Sequence, residues 1–215
     1  MTIQFGERIA GYSIPVLNER EVRASAGLFF LFLFYAIMKV NFEADFTLLK
    51  YFIVIFLTDF TIRIFINPKF APSLVLARLL VTRQRPEYVG APQKKFAWRI
   101  GFGLASVMFV LLIVVNGHSV ISAISCLACL LFLFLESAFG ICVGCLMYGW
   151  YYKEKAEYCP GEVCEPGARQ DIQKTSIVQV LIVLGFAVYV LLTIFAFNNI
   201  FSVDPGNLWE ILGNW

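Results

Sequence analysis

The chain has 215 residues, 60% of them hydrophobic and 15% charged, with a mean hydropathy of +0.76, whereas a soluble domain has about 45–50% apolar and about 25% charged residues. The 17 Lys and Arg against 15 Asp and Glu leave a net charge of +2, too little to mark a polyanionic partner. Nucleic-acid binding, disorder and most soluble enzymes are thereby excluded, and the 22 phenylalanines suit helices that face lipid.

Five apolar runs are long enough to cross a bilayer core, which takes about 20 helical residues. They cover about residues 24–40, 46–66, 96–115, 119–150 and 177–197. The first lacks a small-x-small cleavage pattern, so it reads as a span and not as a removable signal. The fourth is longer than one crossing needs and must tilt, break or leave the membrane. The expectation is an all-α, polytopic transmembrane helical bundle: a four-helix core plus a C-terminal fifth span, one integral membrane domain over 1–215 with no soluble domain attached.

Positive charge sets the expected orientation. Arg8, Arg20 and Arg23 precede the first span; Lys69, Arg78, Arg83, Arg85, Lys94 and Lys95 lie between the second and third; Lys153, Lys155, Arg169 and Lys174 follow the fourth. The opposite connections, Asn41 to Asp45, Asn116 to His118 and the tail after Phe197, hold no Lys or Arg. This predicts an N-terminus in the cytoplasm and a C-terminus outside. After Pro68 and Pro72, Ser73 could cap a helix whose leucines form one face while Arg78 and Arg83 meet headgroups; a solvated connecting helix is the other reading. Trp209 and Trp215 in the tail suit an interfacial anchor.

Asp59, Arg63 and Glu136 fall deep inside the spans. Asp59 and Arg63 are four apart on the second, so they share a helical face in the favourable acid-before-base order. At about 1.5 Å per residue Asp59 lies about 20 Å from the outer end of its span, and Glu136 about 26 Å from Ser119 on the fourth. The expectation is one cluster of Asp59, Arg63 and Glu136 near the inner third. It is either a proton or anion site or a structural salt bridge holding helices in register.

The six cysteines come in three pairs: Cys126-x2-Cys129, Cys142-x2-Cys145 and Cys159-x4-Cys164. The first continues a stripe of small residues and reads as a packing face. The second is interleaved with Gly140 and Gly144, which permit either close helix packing or a break at the thiols. The break matters, because a helix N-terminus favours a thiolate and a C-terminus opposes it. The third sits in the loop 151–173, where Pro160-Gly161 signals a turn. Together the last four read C-x2-C-x13-C-x4-C, paired spacings seen in four-thiolate metal sites. In a reducing cytoplasm they are thiols or metal ligands, not structural disulfides.

Four stretches carry a family resemblance: Val16 to Arg23; Asp59-x3-Arg63 with Pro68-x3-Pro72; Pro92 to Ala97; and Gly140-Ile-Cys-Val-Gly-Cys-Leu-Met-Tyr148. In that order they resemble the domain of unknown function 4395, a family of small polytopic bacterial membrane proteins, over roughly the first 165 residues. The resemblance implies an inner-membrane location and association with thioredoxin-like or rhodanese-like partners. It therefore implies thiol redox or sulfur handling on Cys142 and Cys145.

Three functions remain open. The first is thiol-disulfide exchange, or handling of sulfane or thiosulfate-type sulfur, through Cys142, Cys145, Cys159 and Cys164 with a cytoplasmic carrier. The second is a soft-metal site for zinc, copper or mercury on the same four thiols. The third is a structural subunit of a membrane complex. His118 is the one histidine, so paired-histidine haem ligation is excluded. No serine–histidine–aspartate set or nucleotide-binding loop is present, and whether the chain is an enzyme stays open.

Overall fold

The computed structural model describes residues 5–9, 12–144, 147–148 and 176–207. Cys145, Cys159, Cys164, the loop 151–173 and the Trp209 and Trp215 tail lie outside the described residues.

A short strand β1 (Val16–Asn18) pairs antiparallel with β2 (Tyr88–Gly90), Leu17 opposite Val89. The side chain of Asn18 then caps α1 (Glu19–Glu43) by accepting from the Arg20 amide. The buried stripe of α1 is Val22, Ala26, Phe29, Leu33 and Ala36, the three-and-four spacing of one helical face. Leu31, Phe34 and Tyr35 point away from the bundle. Next come α2 (Thr47–Thr61, prolonged by a π turn over Ile62–Ile66) and α3 (Pro72–Leu80). Then follow α4 (Ala91–Phe109, with a π turn over Val110–Val114) and α5 (Val120–Phe134, with a π turn over Leu135–Phe139). The last helix is α6 (Ile177–Phe201), opened by a reciprocal Ser176–Gln179 capping box. Apart from the short α3 the helices run up and down in alternation. At one end β3 (Gly117–His118) pairs in parallel with β4 (Gly206–Asn207).

Four helices are long and apolar enough to cross a membrane: Glu19–Glu43, Ala91–Val114, Val120–Phe139 and Ile177–Phe201. The chain is therefore an all-α bundle of membrane-spanning helices. The second expected span is helical from Thr47 to Ile66 but carries three charges, Lys50, Asp59 and Arg63. All three are turned inward, at 1%, 0% and 2% exposure. Lys50 Nζ donates to Asn116 Oδ1 at 2.7 Å and to the Val203 carbonyl at 2.6 Å. Phe29, Phe52, Phe56 and Phe60 fill the centre with edge and stacked ring contacts between α1 and α2. α6 packs on α2 and α3. The Thr58 and Tyr189 hydroxyls meet at 3.1 Å, and Gln179 Nε2 donates to the Lys69 carbonyl at 2.9 Å.

Two expectations are corrected. α3 does not turn Arg78 to headgroups: Arg78 is buried and its Nε and Nη2 donate to Glu21 Oε2 at 3.1 and 3.0 Å, while Leu76, Leu79 and Leu80 face outward. A carboxylate buried at the start of α1 needs a cation, and that need outweighs the sorting of the helix by hydropathy alone. The fourth span does not run on to residue 150 as one helix; it stops at Phe139.

Arg63 Nε donates to Asp59 Oδ2 at 2.6 Å. The same Asp59 carboxylate accepts from the Ser73 amide at 2.9 Å and from its hydroxyl at 2.7 Å. Arg63 also donates to the hydroxyls of Ser25 and Ser73. Its guanidinium lies over the rings of Phe60, Trp98 and Phe29, at 4.7, 5.1 and 5.7 Å. Removing one partner of such a pair leaves the other buried and uncompensated, at a cost of about 3–5 kcal/mol. Asp59→Ala is expected to lose most of the folded protein recovered in detergent. Lys69→Ala, at a half-exposed site, is expected to leave recovery unchanged; size-exclusion profiles of the two side by side check this.

Candidate functional site

The site begins where α5 ends. Gly140 adopts φ 68°, the left-handed region that glycine enters without strain. Arg23 of α1 lies against this end, its Nη2 donating to the carbonyls of Ser137 and Ala138 at 3.5 and 3.3 Å. A cation on the last carbonyls of a helix satisfies acceptors that have no intrahelical partner. Ile141 and Cys142 are not helical; Val143, Gly144, Met147 and Tyr148 are helical again. Of the two readings of the glycines, the break is the one found at Gly140. Cys142, buried, is the last residue before the new helical turn.

Gly144 serves the other purpose, close packing. A Cβ there would stand 2.3 Å from the Ala97 Cβ and 2.4 Å from its Cα, so only glycine lets this segment seat on α4. Phe96 and Tyr148 add an edge contact, their centroids 5.7 Å apart.

A small cleft of about 50 Å³ lies between α2, α4, α5 and this segment. Phe56 and Phe60 line it from α2, Trp98 and Gly101 from α4, and Cys129, Phe132 and Glu136 from α5, with Cys142 closing the ring. Two thiols and one carboxylate thus share a mostly apolar wall that includes four aromatic rings.

The expected three-member charge cluster is divided between two sites. Asp59 pairs with Arg63 as described, whereas Glu136 Oε1 accepts from Lys94 Nζ at 2.7 Å. Lys94, fully buried, also holds Glu19 Oε2 at 2.8 Å. The reason is vertical placement: α4 begins at Ala91, with Pro92 in its first turn, which brings Lys94 inside the bundle beside Glu136. Asp59 and Arg63 already satisfy each other through Ser25 and Ser73. Of the four cysteines singled out, Cys142 is at the cleft. Among the described residues no group of three His, Cys, Asp or Glu is arranged to hold a metal ion.

Cys129, Lys94, Glu19 and Arg23 were not recognised as site residues from sequence. Lys94 and Glu19 both fall outside the expected spans: Lys94 enters the sequence reading only as connecting-loop charge, and Glu19 only within the stretch Val16 to Arg23. A signal was present, since Lys94, Trp98, Ala105, Met108 and Leu112 follow the spacing of one buried helical face.

A family model for a domain of unknown function (DUF4395) matches residues 17–153. The chain belongs to that family. The match takes in α1 to α5, Cys142 and the cleft, and ends before α6. No curated protein and no solved structure matches the chain significantly.

Gly144→Ala is expected to destabilise the protein by about 1–3 kcal/mol through overpacking on Ala97. Gly103→Ala, which meets nothing within 4 Å, is expected to be neutral or stabilising by about 0.5–1 kcal/mol, the usual helix-interior difference. Thermal unfolding of the two variants in one detergent separates them.

Proposed function

We propose that the chain is a membrane thiol-exchange protein in which Cys142 and Cys145 react with a soluble carrier of the thioredoxin-like or rhodanese-like kind. The observation that carries this reading is the break at Gly140, which leaves Cys142 immediately ahead of a new helical turn. A cysteine at a helix N-terminus has its anionic, nucleophilic form favoured by the amide groups and the helix dipole. The spacing Cys142-x2-Cys145 supplies a second thiol three residues along the sequence as the resolving partner.

Exchange runs through a mixed disulfide at Cys142. A carrier thiolate attacks Cys142 of a Cys142–Cys145 disulfide, and Cys145 leaves as thiolate. The second carrier thiolate then displaces Cys142, giving an oxidised carrier and a dithiol. One S–S bond forms for each one broken, and each released thiolate takes a proton in place of one given up by a carrier thiol. Cys159 and Cys164 form a second pair in the loop through which the same exchange continues. The N-terminus is in the cytoplasm and the C-terminus outside, so these pairs meet a reduced compartment.

Cys145→Ser is expected to accumulate a mixed disulfide between Cys142 and the carrier, seen as a reductant-sensitive band and identified by peptide mass spectrometry. Near-stoichiometric zinc or copper in purified protein, lost in Cys159→Ser, would overturn the exchange reading in favour of the four-thiolate metal site. For orientation, a periplasmic reporter fused after residue 215 is expected to be active and one fused after residue 90 inactive.

A further inference from the structure

Burial and reactivity conflict at Cys142. Exchange needs a carrier thiolate to approach the sulfur directly, so its rate depends on access. Cys142 is 6% exposed, and a carrier thiol is attached to a body too large to follow it inward. The stretch that holds Cys142 must therefore move before the thiol can exchange.

The chain has a joint for such a movement. The amides of Gly140 and Ile141 still donate to the carbonyls of Glu136 and Leu135 at 3.2 and 3.1 Å, and Arg23 ties this end of α5 to α1. Beyond the joint the chain rests on a different helix. Gly144 seats on Ala97 and Tyr148 meets Phe96; these are adjacent residues of α4, so one displacement releases both contacts. Between the two attachments lie Gly140, in the left-handed region, and Ile141, which belongs to neither helix. A few residues at the end of an element commonly absorb the backbone rotation of a hinge. A Cβ at Gly140 would also stand 3.2 Å from Arg23 Nη1, so this joint takes glycine on two counts. Val143, Gly144 and Met147 line the small cleft. Part of the surface beneath them already lacks contacting atoms, which lowers the cost of lifting them.

We propose that the stretch beginning at Cys142 is a strap hinged at Gly140 and Ile141: docked on α4 it hides the thiol, and lifted from α4 it presents the thiol to the carrier. The proposal rests on the thiol-exchange reading and adds the control of that site. Arg23 holds the fixed side of the hinge, and the fit of Gly144 on Ala97 is the latch.

The test is alkylation of full-length, reduced protein in detergent by N-ethylmaleimide, followed at each cysteine by peptide mass spectrometry. Cys142 is expected to react more slowly in the folded protein than in the denatured chain. In Gly144→Ala the added methyl clashes only in the docked state. An overpacking cost of about 1–3 kcal/mol then speeds Cys142 alkylation about 5- to 140-fold, at about 1.4 kcal/mol per factor of ten. Tyr148→Ala removes an edge contact worth about 0.5–1.5 kcal/mol and is expected to speed it about 2- to 12-fold; it decides the matter where Gly144→Ala does not fold. Gly103→Ala, also on α4, is expected to keep the wild-type rate. Cys126, in the core on α5, is the internal reference, and its rate is expected to be the same in every variant. Three results overturn the proposal: Cys142 as reactive in the folded as in the denatured wild type, no acceleration in the folded latch variants, or Cys126 accelerating in step with Cys142. If the latch variants expose Cys142 but Cys145→Ser traps no carrier, the exchange reading alone fails. If the carrier is trapped while the latch variants leave the Cys142 rate unchanged, the strap alone fails.

Discussion

Everything in this bundle is arranged around charges that lipid cannot solvate. Asp59 and Arg63 lie one helical turn apart on α2, and neither is exposed enough to reach water. An isolated ion in hydrocarbon is costly, and the pair is given further partners from other elements. Ser25 is supplied by α1, Ser73 by α3, and the ring of Trp98 by α4. The pair fixes three helices relative to α2, and the aromatic stack of Phe56 and Phe60 is positioned next to it. With these hydrogen bonds inside the bundle, the network ties the helices together.

The second buried group, Glu19–Lys94–Glu136, has a different character. Two carboxylates share one ammonium, and Glu136 is the member that reaches the cleft. Glu136 therefore links the charge network to the thiol wall. Arg23, one turn along α1 from Glu19, grips the end of α5 and sets where the helix stops. The position of Cys142 thus depends on α1, an element more than a hundred residues earlier in the chain, and is not a local property of the cysteine motif.

Hydropathy made the helical bundle legible because lipid-facing helices must be apolar along their length. It did not make the ends legible: Glu19 and Lys94 belong to helices but fall outside the expected spans, since their partners are far away in sequence. Asp59 and Arg63 were recognisable because their partnership is local, four residues apart. Glu136 was misassigned because depth counted along one helix says nothing about which neighbour lies across from it. The break at Gly140 was one of two readings the glycines allowed, and deciding between them required Arg23.

Lys50 has a consequence for how the protein is made. One of its two acceptors, the carbonyl of Val203, lies 153 residues further along the chain. During synthesis α2 is threaded long before that carbonyl exists, with an ammonium in its first turn held by little more than Asn116 once α4 has followed. The N-terminal part of α2 therefore remains the least settled piece of the nascent bundle until α6 has crossed. Closure of the β3–β4 pair beside it then marks the completion of assembly at that end. In this protein the last helix to emerge finishes the insertion of the second.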